Sequence, residues 1–142
     1  MSRVKIRLWY SKACEKDLKE LSKDKNCKNV NFEEEVKNGW LSHFNQRVAT
    51  LLWEDKKEGL LFYKIRLRHP CLKKGKRGGL RLFYVYLVKE DYVELIFARL
   101  IHKPETEDLT EEEIRDALAI PSSSELVQID SNLLELEIKR GG

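Results

Sequence analysis

The chain has 142 residues, of which 42% are hydrophobic and 36% are charged, and its formal net charge is +3. This length is typical of a single domain with one core, and the near-balance of charge means that composition alone does not indicate a nucleic-acid partner. No apolar run is long enough for a signal-peptide core or a membrane span, and the three cysteines lie apart without a CxxC motif or a Cys/His cluster. We therefore expect a cytoplasmic protein without membrane contacts, a disulfide framework or a zinc site.

The first predicted elements are a short strand and a helix. Residues 4–9, VKIRLW, alternate apolar and basic side chains with the period of a half-buried strand. Ser11 can cap a helix that ends near Lys23, because apolar residues then recur at helical spacing before a polar connection.

A second helix is predicted to begin at Asn31, since three glutamates in its first turn complement the helix dipole. Its apolar stripe runs from Val36 to Leu52. We interpret Trp40 and Trp53, which belong to this stretch, as ordinary core residues.

Three strands are predicted next, in the segments LLFYKIRLR, LRLFYVYLV and YVELIFARLI, and they should form an antiparallel meander. Thr110 and Glu113 then provide a capping box for a further helix. After Pro121 the apolar spacing fits a helix and a strand equally well, and the choice stays open.

These elements predict an α+β fold, with a small antiparallel sheet of about four strands packed against an N-terminal helical hairpin and followed by a C-terminal helix. The expected organisation is one domain over residues 1–120 and an extension of uncertain structure over residues 121–142.

Charge is distributed very unevenly along this chain. The segment from Lys56 to Arg81 carries ten Lys or Arg and one acid, whereas the segment from Glu105 to Asp116 carries seven acids and one Arg. Side chains on a strand alternate between faces, so Lys64 and Arg66 should share one face, together with Arg68, while the opposite face supplies the core.

More cations follow in HPCLKKGKRGG and at the start of the next strand, where Arg81 lies. This segment lacks the spacing of a P-loop and precedes a strand instead of a helix. A solvated loop remains the alternative for its lysines. For the strand cations we favour phosphate groups as ligands, because arginine can bind their oxygens in a bidentate manner.

The K-x-R core of YKIRLR, the R-L-x-Y core of GGLRLFYVY, the segment HKPETEDLTEEE and the order of the elements resemble the RelE/ParE/HigB superfamily of type II toxins. The resemblance is strongest from about Gly59 to Leu118. It implies a toxin that is neutralised by a cognate antitoxin protein. In the RelE and HigB branches, which this chain resembles more, the toxin cuts messenger RNA, typically on the ribosome.

Cleavage of this kind uses the ribose 2′-hydroxyl as nucleophile and needs a base, cations and an acid, but no metal or cofactor, and we predict neither. By the resemblance, Lys64 would be the base, Arg66 a phosphate clamp and Arg81 a stabiliser of the transition state. His102 is the candidate acid, because an imidazole exchanges protons near neutral pH, and His69 is the alternative. The residues expected to contact RNA are Arg68, His69, Lys73, Lys74, Lys76, Arg77, Arg99 and Lys103.

Two classes of function stay open. The first is an endoribonuclease toxin, and the second is a non-catalytic protein, either a ParE-like inhibitor of DNA gyrase or an RNA-binding module. The aligned strand cations favour the first class. We interpret Tyr84 and Tyr86, which alternate away from Arg81, as core residues.

Overall fold

The computed structural model describes residues 2–44, 49–71, 79–102, 110–112, 114–115, 126–128 and 134–138. The elements in chain order are β1 (Ser2–Ser11), α1 (Lys12–Leu21), a 3₁₀ turn (Lys25–Cys27), α2 (Phe32–His43), β2 (Thr50–Asp55), β3 (Leu60–Leu67), β4 (Leu80–Val88), β5 (Val93–Ile101), β6 (Leu126–Gln128) and β7 (Leu134–Ile138). Residues 111, 112, 114 and 115 are helical. None of the helices in these described ranges is long and apolar enough to cross a bilayer.

The strands form one mixed sheet in the order β2-β3-β4-β5-β1-β6, and β7 also pairs with β1. β1 runs parallel to β5, whereas the other pairs are antiparallel. The predicted four-stranded antiparallel sheet with an N-terminal helical hairpin is therefore wrong, although the β3-β4-β5 meander is present. Alternation of side chains identifies a strand but carries no information on its neighbour or direction, and β1 finds partners far along the chain.

The C-terminal tail, residues 121–142, fitted a helix and a strand equally well in sequence, and in the structure it contributes strands to this sheet. β6 pairs with the end of β1, from Trp9 to Ser11, and β7 pairs with its beginning, from Ser2 to Ile6. The described part of the tail is therefore an edge of the same sheet. The remainder of the predicted C-terminal helix and of residues 121–142 lies outside the described ranges.

The predicted starts of α1 and α2 are confirmed by their caps. The Ser11 side chain accepts a hydrogen bond from the Cys14 amide, and its hydroxyl donates to the carbonyl of Ala98 in β5 at 2.8 Å. The Asn31 side chain accepts from the Glu34 amide. Ser11 therefore ends β1, starts α1 and fixes both to the sheet.

The second helix is shorter than predicted, because α2 ends at His43 and β2 begins at Thr50. Trp40 is buried, but Trp53 lies on β2 with 43% of its surface exposed, so its assignment to the core is wrong. A run of apolar residues fits either period over a short distance, and here pairing with β3 decides in favour of strand. Gly59, at φ 67°, makes the connection between β2 and β3.

The sheet carries apolar clusters on both faces. The cluster on the helix side contains Ile6, Leu8, Cys14, Cys27, Phe32, Val36, Trp40, Ile65, Leu67, Leu80, Leu82, Tyr84, Leu95, Phe97 and Leu100. The cluster on the other side contains Leu60, Phe62, Phe83, Val85, Ile96, Ala98 and Ile101, and Ile114 packs against it. The expectation of a core on one face only is therefore wrong, because the face that carries the strand cations also buries apolar side chains of the strands, with Ile114 packed against them.

Cys27 and Cys71 form a disulfide bond, with Cα atoms 5.4 Å apart, whereas Cys14 is free and buried. The expectation that the cysteines form no disulfide is therefore wrong for Cys27 and Cys71. The two partners are 44 residues apart in sequence. Only the packing of the 3₁₀ turn against the end of β3 brings them together, and their spacing in the sequence does not report it.

A group of aromatic residues lies between α2 and the sheet, and it confirms that Tyr84 and Tyr86 are core residues. The rings of Tyr63, Tyr84 and Tyr86 lie 5.4–5.7 Å apart by centroid. The indole nitrogen of Trp40 donates a hydrogen bond to the Tyr86 hydroxyl at 3.1 Å. Burial raises the pKa of Tyr86 to about 12, although the hydrogen bond from Trp40 acts in the opposite direction.

The Tyr86 hydroxyl should make stability sensitive to alkaline pH. The pKa of Tyr86 is about 12 in the folded protein and 10.0 in the unfolded chain, so the folded state holds the phenol proton more tightly. The resulting contribution of Tyr86 to the free energy of unfolding is present below pH 10.0 and is lost as the pH rises to 12. In Tyr86→Phe, Trp40 loses its acceptor, so we expect a loss of about 1 kcal/mol at pH 8. Urea unfolding should show that the difference in free energy of unfolding between the wild type and Tyr86→Phe is smaller at pH 11 than at pH 8, because only the wild type loses the contribution of the phenol proton. A deficit that is equal at both pH values would contradict the assignment.

Candidate functional site

The predicted strand cations are brought together at one end of β3 and β4. Arg66 lies directly opposite Arg81 in the antiparallel register, and Lys64, two residues earlier on β3, lies opposite Phe83. Residues paired in this way project from the same face of the sheet, with Cβ atoms about 5 Å apart. We call Lys64, Arg66 and Arg81 the cation trio.

The members of the cation trio differ in exposure. Arg66 is exposed, Lys64 is half-buried, and Arg81 retains only 4% of its surface. Arg66 therefore presents its charge to solvent, whereas the charge of its cross-strand partner Arg81 is buried.

Both predicted proton donors lie at a different place, next to the disulfide. His69 is 4% exposed, and its ring centroid lies 5.9 Å from that of Phe32 and 5.2 Å from that of His102. The Cys71 amide donates a hydrogen bond to Nδ1 of His69. His69 follows Ile65 and Leu67 on the helix side of the sheet, so its burial separates it from the exposed cations. The structure thus brings His102 together with His69.

Arg99, predicted to contact RNA, takes part in an internal ion pair. Its Nε donates to Oδ2 of Asp17 at 2.8 Å and its Nη2 donates to Oδ1 at 3.1 Å. The same carboxylate accepts the Leu100 amide at 2.9 Å. This bidentate pair ties α1 to β5 and compensates the charge of Arg99 inside the fold.

Arg68 is exposed, as an RNA contact requires. The other predicted RNA contacts lie outside the described residues; they are Lys73, Lys74, Lys76, Arg77 and Lys103.

A cleft of about 310 Å³ lies between α2 and the end of β3, and its lining includes Arg66, Arg68, Ser42 and His43. Nδ1 of His43 is 2.7 Å from the carbonyl oxygen of Gly39. A carbonyl only accepts, so Nδ1 carries the proton and a neutral His43 has its lone pair on Nε2. The cleft therefore combines phosphate-binding groups with a proton acceptor.

Sequence reasoning missed His43. It lies within the stretch that was predicted to continue as one long helix, where a histidine has no distinguishing signal. A correct end for α2 would have placed it at the helix terminus, but only the packing of α2 beside β3 brings it to Arg66.

Comparison of the sequence with protein-family models and with curated proteins finds no match in either set. The resemblance to the toxin superfamily consequently depends on the quoted sequence motifs alone.

Proposed function

We propose that this protein is the toxin of a type II toxin-antitoxin system, a metal-independent endoribonuclease that cleaves messenger RNA on the ribosome. The observation that carries the proposal is the cation trio, in which Arg66 and Arg81 are cross-strand partners and Lys64 shares their face. Cations that share one face of a sheet can contact the oxygens of one phosphodiester, and such contacts stabilise charge that develops on phosphorus.

In this mechanism the ribose 2′-hydroxyl attacks the adjacent phosphate and the 5′-oxygen leaves. Lys64 removes the hydroxyl proton, Arg66 binds a non-bridging oxygen, and Arg81 adds positive charge on the same face of the sheet. His102 was the predicted acid, but it lies beside His69 and away from the cation trio. His43 is proposed in its place, because it shares a cleft with Arg66 and its Nε2, when protonated, can donate to the leaving 5′-oxygen.

The proposed setting is the cytoplasm, where messenger RNA and ribosomes are the substrate and its carrier. The proposed partner is an antitoxin with an acidic segment that covers the cation trio. Exposed Arg66 and Arg68 provide complementary charge for such a segment, and charge complementarity speeds association and aids specificity.

Inducible expression without an antitoxin tests the proposal. We expect growth and translation to stop together after induction. Sequencing of RNA 5′ ends should then reveal new message ends at positions occupied by ribosomes. Arrest with intact messages and accumulating double-strand DNA breaks would contradict this and indicate a gyrase inhibitor.

The burial of Arg81 favours a second candidate, a module that binds RNA without cleaving it. Binding needs only exposed cations, such as Arg66 and Arg68, whereas catalysis also requires that a phosphate approach Arg81, which is 4% exposed. Incubation of the purified protein with ribosomes and end-labelled message, followed by gel electrophoresis, distinguishes cleavage from binding alone. Retarded but intact RNA indicates binding, and shortened RNA with a 2′,3′-cyclic phosphate end indicates cleavage.

A further inference from the structure

The disulfide and a buried histidine form a compact group of metal-binding atoms. One ligand atom from each of Cys27, His69 and Cys71 lies within 4.8 Å of the others, and Nδ1 of His69 is 3.5 Å from Sγ of Cys71. The group joins the 3₁₀ turn to the chain after β3. It lies on the helix side of the sheet, away from the face of the cation trio.

The tautomer of His69 suits a metal ligand. Because the Cys71 amide donates to Nδ1 at 3.3 Å, Nδ1 is the unprotonated ring nitrogen, and its lone pair can bind a metal ion once this long hydrogen bond is given up. Nδ1 already lies near the sulfur of Cys71. The rings of Phe32 and His102 both make edge contacts with the imidazole. A buried, oriented imidazole beside two sulfurs resembles the environment that positions ligands in metal sites.

We propose that reduction of the disulfide converts this group into a zinc site, with Cys27 Sγ, Cys71 Sγ and His69 Nδ1 as ligands and solvent in the fourth position. Thiolate and imidazole ligands favour Zn²⁺ over harder cations. With Zn–S bonds of about 2.3 Å in a tetrahedral site, the sulfurs would stand about 3.8 Å apart. Side-chain rotation can reach this separation, because the Cα atoms are 5.4 Å apart.

The two states are connected by a balanced exchange. A dithiol reductant transfers two electrons and two protons to the disulfide, giving two cysteine thiols and its own disulfide. Zinc binding then releases both thiol protons, so the metal affinity rises with pH. Either state cross-links the 3₁₀ turn to the chain after β3, and the protein would exchange a covalent link for a metal-mediated one.

Metal binding by the oxidised and the reduced wild-type chain tests the proposal without any substitution. After reduction with a phosphine and removal of the reagent, we expect one Zn²⁺ per chain by equilibrium dialysis with elemental analysis. Co²⁺ should give the thiolate charge-transfer and d–d bands of a tetrahedral site. The oxidised chain should bind no metal at this position. Equal metal content in the two states would overturn the proposal.

Variants identify the ligands. In the reduced chain, Cys27→Ser and Cys71→Ser should each weaken Zn²⁺ binding by about 100-fold or more, because losing a residue that only positions a ligand can already cost that much. His69→Gln should also weaken binding. Cys14→Ala, which changes the buried free cysteine, is the matched control and should keep the wild-type stoichiometry and Co²⁺ spectrum. Unchanged binding in Cys27→Ser and Cys71→Ser would show that the metal lies elsewhere. The readout is metal binding, so it is independent of the proposed ribonuclease activity.

Discussion

Arg66→Ala is expected to abolish growth arrest and to lower the rate of message cleavage by about 100-fold or more. Removing one preformed donor to a developing anion costs about this much in enzymes. Arg66 is the exposed member of the cation trio and contributes little to the core, so the variant should fold. The measurement is the rate of cleavage of ribosome-bound message under single-turnover conditions.

Two further variants make this test specific. Arg66→Lys keeps the charge but loses the bidentate fork, so a partial recovery is expected if Arg66 binds two phosphate oxygens. Lys16→Ala removes an exposed cation on α1 and should leave cleavage at the wild-type rate. Complete loss of message cleavage in Lys16→Ala, or cleavage at the wild-type rate in Arg66→Ala, would argue against the cation trio as the site.

Asp17→Ala is expected to destabilise the fold by about 2–3 kcal/mol, because it leaves the guanidinium of Arg99 without its bidentate partner and the Leu100 amide without its acceptor. Both side chains are largely buried, with 28% of Arg99 and 15% of Asp17 exposed. The measurement is the free energy of unfolding in urea at pH 7.

The control is Glu20→Ala, which changes a residue in the same helix as Asp17 and removes an exposed ion pair with Lys23. Both of those side chains are more than half exposed, at 62% and 72%, and such pairs contribute well under 1 kcal/mol. A double-mutant cycle with Arg99→Ala isolates the coupling between Asp17 and Arg99. A coupling as small as that of the exposed pair would contradict a structural role for Arg99.

Local pattern predicted the parts of the candidate site that depend only on position along a strand. Alternation placed Lys64 and Arg66 on one face, and the short β4 segment after a loop placed Arg81 on a neighbouring strand. Both follow from the period of two, which any strand imposes on its side chains. The same pattern could not reveal that Arg81 is 4% exposed, because burial depends on what packs against the sheet from elsewhere in the chain.

The errors in the predicted fold share this origin. The apolar residues of β2 were assigned to a helix, since a short apolar run fits both periods until a partner strand is known. The partners of β1 come from β5 and from the tail, which are separated from it by most of the chain. The local preference of a segment for helix or strand does not indicate which distant strand it will pair with.

By itself, the sequence determined the helix caps at Ser11 and Asn31, the β3-β4-β5 meander and the shared face of Lys64 and Arg66. These features depend on interactions between residues close together in the chain. The tertiary structure decided the parallel placement of β1, the core on both faces, the ion pair of Arg99 and the meeting of Cys27, His69 and Cys71. Each of these requires distant segments to pack together, and packing depends on the whole chain at once.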